Sequence, residues 1–112
     1  MNDITRLLKV ADDLNIPVAF GAFDEPQDPP FACVLGAGQD QFHADGIPYE
    51  KWNLYDFEYY FENKDVDREE AIEEELTAAG FVYRKSEDVY IDDENMYQVT
   101  YTAWRKTHGG SE

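Results

Sequence analysis

Between positions 4 and 14 the apolar residues Ile4, Leu7, Leu8, Ala11 and Leu14 recur at steps of three and four. That spacing predicts an amphipathic helix, with Asn2 or Asp3 placed to cap it. Asn15, Ile16 and Pro17 end it, because proline disfavours helical geometry in the residue before it and has no amide proton to donate. A helix of about 11 residues does not persist alone in water, so the stripe requires something to pack on.

A sheet is the expected partner. Residues 18–23 and 31–35 are short apolar runs, separated by a connection that three prolines stiffen. Next come Gly36-Ala37-Gly38, a stretch at 39–44, an Asp45-Gly46 turn signal and a stretch at 47–52. Together they read as an extended hairpin or long loop projecting from the sheet. The clearest strand is 54–61, where Tyr55, Phe57, Tyr59 and Phe61 share one face and Asp56, Glu58 and Glu62 the other, Tyr60 being the exception.

A second helix is predicted to start at Asp67, with Glu70 completing an acidic variant of the capping box and Ile72, Leu76 and Ala79 forming its buried stripe. Gly80 supplies the left-handed residue that commonly closes a helix, and 81–84 begins another strand. Stretches at 89–91 and 96–104 flank the acidic turn Asp92, Asp93, Glu94 and Asn95, which predicts a final hairpin. The order is that of an α+β fold: a mostly antiparallel sheet, both helices packed on one face, and a long projecting central hairpin or loop. Residues 1–104 read as a single domain and 105–112 as a flexible tail.

Composition narrows this further. With 112 residues, 43% of them hydrophobic, the chain has enough material for one core without disulfides or metal, and too little for two stable domains. Asp and Glu number 25 against 9 Lys and Arg, a formal net charge of −16. This argues against stable nucleic-acid binding and against adhesion to an anionic membrane, since both need clustered cations. Any partner is expected to be neutral, basic or metallic. Lone Cys33 forms no internal disulfide, no run approaches the roughly 20 apolar residues of a membrane span, and the first residues do not resemble a secretory signal; the expectation is a cytosolic chain.

Candidate chemistry is thin. Nucleophilic catalysis would need Cys33 beside His43 or His108, but Phe-Ala-Cys-Val-Leu is the context of a buried strand and favours a structural thiol. Residues 92–95 concentrate oxygen ligands, yet consecutive acids lack the alternation and central glycine of a calcium loop, so a solvated turn is the better reading. Two distant histidines and one cysteine make zinc unlikelier still. Gly36-Ala37-Gly38 lacks the third glycine of a phosphate-binding fingerprint and reads as a loop hinge. No catalytic group, cofactor or metal is expected.

Glu69, Glu70, Glu73, Glu74 and Glu75 read as a solvated acidic face. The aromatics carry more information. Trp52, Tyr55, Tyr59, Tyr60, Tyr83, Tyr90, Tyr97, Tyr101 and Trp104 are too many for one small interior, so some belong at contact surfaces. Within the projecting segment the candidate protein interface is Phe42, Ile47, Tyr49 and Trp52.

Several stretches also carry a resemblance: Pro29-Pro30-Phe31, Gly36-Ala37-Gly38-Gln39-Asp40, Ala44-Asp45-Gly46, positions 55–61, Ala79-Gly80-Phe81 and Ser86-Glu87-Asp88. In that order, over roughly residues 4–104, the chain resembles small proteins of the tail-terminator or tail-completion (head-tail joining) group of long-tailed phages and prophages of Gram-positive bacteria. The resemblance implies an α+β protomer in the virion tail, assembled in the host cytoplasm. It implies a homo-hexameric ring that caps the tail-tube protein and joins it to the head-tail connector protein, with no enzymatic turnover. Strong charge departs from an easy match, because six copies at −16 each repel one another. A reading from a different class is an acidic DNA mimic that inhibits a nucleic-acid-binding protein by occupying its cationic groove.

Overall fold

The structure, a computed structural model, describes residues 1–42 and 50–105. In chain order the elements are α1 (Asp3–Asp13), β1 (Val18–Phe20), β2 (Phe31–Phe42), β3 (Glu50–Phe61), α2 (Val66–Ala78), β4 (Val82–Lys85), β5 (Val89–Ile91), a 3₁₀ turn (Asp92–Glu94) and β6 (Met96–Trp104). The fold is α+β, as the hydrophobic pattern predicts.

Both helices are closed by side chains and turns that the sequence supplies locally. Asn2 caps α1 by accepting from the Thr5 amide at 2.8 Å. Its far end closes through Asn15 in the left-handed region (φ 59°), with the Ile16 amide donating to the Ala11 carbonyl at 2.9 Å. Proline therefore follows a finished cap instead of making one. For α2 the cap is Asp65, two residues before the expected Asp67, and it accepts from the Arg68 amide at 3.1 Å. Gly80 does close α2 at φ 93°, and the Phe81 amide returns to the Leu76 carbonyl at 2.9 Å.

Strand order is β1-β2-β3-β6-β4, with β5 also paired to β6. All pairs are antiparallel except β1 with β2, which run parallel. Because β4 takes residues 101–104 of β6 and β5 takes 96–98, β4 and β5 form one interrupted edge. The Gly36-Ala37-Gly38 stretch is not a loop hinge. It lies inside β2, where the register with β3 shifts between Gly36 and Gln39 and Gly38 adopts φ 90°, so that Ala37 and Gly38 oppose Leu54 alone in a bulge. Pairing then resumes as far as Phe42 opposite Glu50, and the 43–49 part of the expected projecting segment lies outside the described residues.

One hydrophobic core joins both helices to a single sheet face: Leu7, Val10 and Ala11 of α1 and Ile72 and Leu76 of α2 meet Val34, Phe57, Tyr59, Val99 and Tyr101. The α1 stripe is rotated slightly from expectation, with Val10 buried and Ile4 only partly so. The larger surprise is Glu69. Instead of lying on a solvated acidic face, its side chain is 2% exposed and flanked by Lys64 (2.8 Å) and Lys85 (2.9 Å). Position 69 is three residues before Ile72, so it belongs to the buried stripe, and two lysines from other segments make that tolerable. Arg105, which the sequence assigns to the tail, donates to the Ala79 carbonyl at 3.1 Å and reaches Asp3 at 3.4 Å, tying the end of β6 to both helices.

Candidate interaction surface

Alternation along the strands sends a second set of side chains to the face that no helix among the described residues covers. Across β2, β3 and β6 the rows are Leu35, Asp56 and Thr102; Cys33, Glu58 and Thr100; and Phe31, Tyr60 and Gln98. Polar groups there satisfy one another: the Tyr60 hydroxyl donates to Glu58 Oε1 at 3.0 Å, Gln98 Nε2 donates to that hydroxyl at 3.3 Å, and Thr102 Oγ1 donates to Asp56 Oδ1 at 2.6 Å. Tyr60 looked like an exception to the polar side of β3 because its ring is aromatic. Its ring stacks on Phe31, with centroids 4.6 Å apart, while its hydroxyl joins the polar row.

The connection after β1 folds over this face and borders an open cleft of about 420 Å³, with Phe23, Phe31, Tyr60, Cys33 and Met96 in its walls. Burial pushes the Glu58 carboxyl above the usual carboxylate range, and the hydrogen bond from Tyr60 only partly offsets it. Burial and then the Glu58 charge push the Cys33 thiol up as well, which is the opposite of what a nucleophile needs. Cys33 is 6% exposed and packs as a small core residue. His43 and His108 lie outside the described residues, so no Cys-His arrangement is on display.

Other candidates resolve individually. Asp92, Asp93 and Glu94 form the 3₁₀ turn, and Asn95, at φ 52°, accepts from the Tyr90 hydroxyl at 2.8 Å. Among the described residues no group of three or more His, Cys, Asp or Glu side chains is arranged to hold a metal. Of the expected interface residues, Phe42 ends β2, Trp52 sits partly buried on β3 opposite Asp40, and Ile47 and Tyr49 lie outside the described residues.

The aromatic surplus divides as its geometry demands. Tyr59 and Tyr101 are fully buried, the latter donating to Glu73 at 2.9 Å, whereas Tyr90 and Tyr97 are exposed. They extend a ladder of rings, Tyr59 to Phe61 (5.5 Å), Phe61 to Tyr97 (5.6 Å) and Tyr97 to Tyr90 (5.0 Å), that leads from the core to the β5 edge. Both sheet edges carry exposed apolar side chains, on β4 beside the exposed Arg84 and Lys85. Phe20 on β1 is 54% exposed, and Val82, Val89 and Tyr90 on the β4–β5 edge are 56%, 49% and 48% exposed.

No family model and no curated protein matches this chain. No helix among the described residues is long and apolar enough to cross a membrane.

Proposed function

We propose that this chain is a structural assembly protein of the tail-terminator or tail-completion type, which closes a ring on the tail tube and joins it to the head connector without catalytic turnover. The observation that carries this reading is the pair of unlike open edges on one sheet, β1 on one side and β4–β5 on the other, each with exposed apolar side chains. Unpaired edges with exposed apolar side chains are templates for pairing with another chain. When the two edges differ, contact between them is head-to-tail, and a head-to-tail contact that closes on itself makes a ring. The acidic surface suits a channel component that lets DNA pass without adhering, since like charges repel. The place of assembly, the virion tail, is part of this proposal and rests on the resemblance along the chain to phage tail-completion proteins.

A capture experiment tests the reading. Immobilised chain should retain tail-tube protein from the cognate phage or prophage. Retention of a host nucleic-acid-binding protein in its place, competed away by DNA, would overturn it in favour of the DNA-mimic reading.

A further inference from the structure

The cleft on the helix-free face combines two features that suit one kind of ligand. Its walls are aromatic, with the Phe31 and Tyr60 rings stacked at 4.6 Å and Phe23 edge-on to Phe31 at 5.5 Å. Its rim carries Asp24, Glu25 and Glu94, and no Lys or Arg stands among the described residues that line it. Aromatic faces and carboxylates together favour a planar, weakly hydrated cation, and guanidinium fits that description better than ammonium.

The chain itself carries one such group in the right place. Arg6, Lys9, Lys64, Lys85 and Arg105 each have a carboxylate partner within their own chain, and Arg68 lies on α2, which packs on the opposite face of the sheet. Arg84 is exposed on β4 opposite Thr102, on the same helix-free face as the cleft, and no carboxylate among the described residues pairs with it. It stands at the far edge of the sheet from β1. Its partner Thr102 stands six residues along β6 from Met96 in the cleft wall, about 20 Å at strand rise, so Arg84 does not reach the cleft of its own chain.

We propose that the cleft under the connection after β1 receives the guanidinium of Arg84 from a second copy of this chain. The inference rests on the ring reading and gives its contact a specific chemistry. Placing the β4 edge of one copy beside the β1 edge of the next keeps the helix-free faces on the same side, which brings Arg84 toward the neighbour's cleft and repeats the contact around the ring. Each copy then contributes one cation and one cleft, so the pairing offsets part of the repulsion between acidic protomers.

Sedimentation velocity of the full chain at one fixed moderate salt concentration, with and without tail-tube protein, is the test. Arg84→Glu should weaken self-association at least about tenfold, and the double change Asp24→Arg with Glu25→Arg should do the same. All these positions are exposed, so circular dichroism should be unaltered. Combining the two sets should restore association, because the charges are then exchanged across the contact. Association indifferent to Arg84→Glu, or a combined variant no better than its parents, overturns the Arg84 contact and leaves the ring standing. A wild-type chain that is monomeric under every condition overturns both.

Discussion

Lys85 Nζ lies 2.9 Å from Oε1 of Glu69, joining the β4 edge to a carboxylate on the buried side of α2. The same amine is 2.8 Å from Glu73, and Lys64 approaches Glu69 from the turn before the helix at 2.8 Å. Removing one member of a buried pair leaves the others incompletely compensated, although here both lysines keep water and a second acid within reach. Glu69→Ala should cost about 1 to 3 kcal/mol, whereas Glu74→Ala, on the exposed side, should stay within about 0.5 kcal/mol. Urea midpoints of the two variants decide the matter.

Leu76 is fully buried where α2 meets the sheet and α1. Leu76→Ala should destabilise by about 2 to 5 kcal/mol, the range for a large core side chain cut back to a methyl group. A urea midpoint equal to that of Glu74→Ala would contradict the packing of α2 described above.

The network also sets an alkaline limit. Burial acts against the charged form of Lys85, but the carboxylates of Glu73 and Glu69 outweigh it and raise its pKa to about 12. A folded-state value above the unfolded one means that the stabilisation is complete below the ordinary lysine range, near 10.4, and is lost as pH rises through about 12. Tyr101 acts in the same direction, because burial and then Glu73 hold its hydroxyl protonated beyond the usual tyrosine range. Urea midpoints should fall as pH rises from about 10 to about 12, and Lys85→Gln should flatten that fall. An unchanged slope in Lys85→Gln would remove Lys85 from the cause.

Legibility in the sequence followed the range of the interaction responsible. Period 3.6 in α1 and period two in β3 are local patterns, and so were visible, as was Gly80 at the end of α2. Glu69 reads as solvent-facing in the sequence because its burial depends on Lys64 and Lys85, and nothing near it in sequence announces Lys85. Gly36-Ala37-Gly38 resembles a break in composition, and only the pairing of β2 with β3 reveals it as a bulge within a strand. The cleft is not legible in the sequence for a similar reason: Phe23, Phe31, Tyr60 and Met96 come from four segments. Tyr60, aromatic on the polar side of β3, was the one local sign of it.

Gly80 offers a further check. At φ 93° any side chain is strained, and an added Cβ would meet Arg105 Nε at 3.0 Å. Gly80→Ala should cost about 1 to 2 kcal/mol from the left-handed conformation alone. Thermal melting of Gly80→Ala with and without Arg105→Ala separates the two contributions, and a melting temperature unchanged by Gly80→Ala would contradict this closure of α2.

Self-assembly through unlike sheet edges is tested most directly by sedimentation of the pure chain over a concentration series at low and moderate salt, repeated with tail-tube protein present. At −16 per copy, repulsion between protomers dominates at low salt, and a Debye length near 10 Å at about 0.1 M screens it while apolar edge contacts persist. Association should strengthen as salt rises from low to moderate, with or without the tube protein as template. A chain that stays monomeric throughout, or an oligomer that dissociates as salt rises, would contradict assembly of an acidic ring.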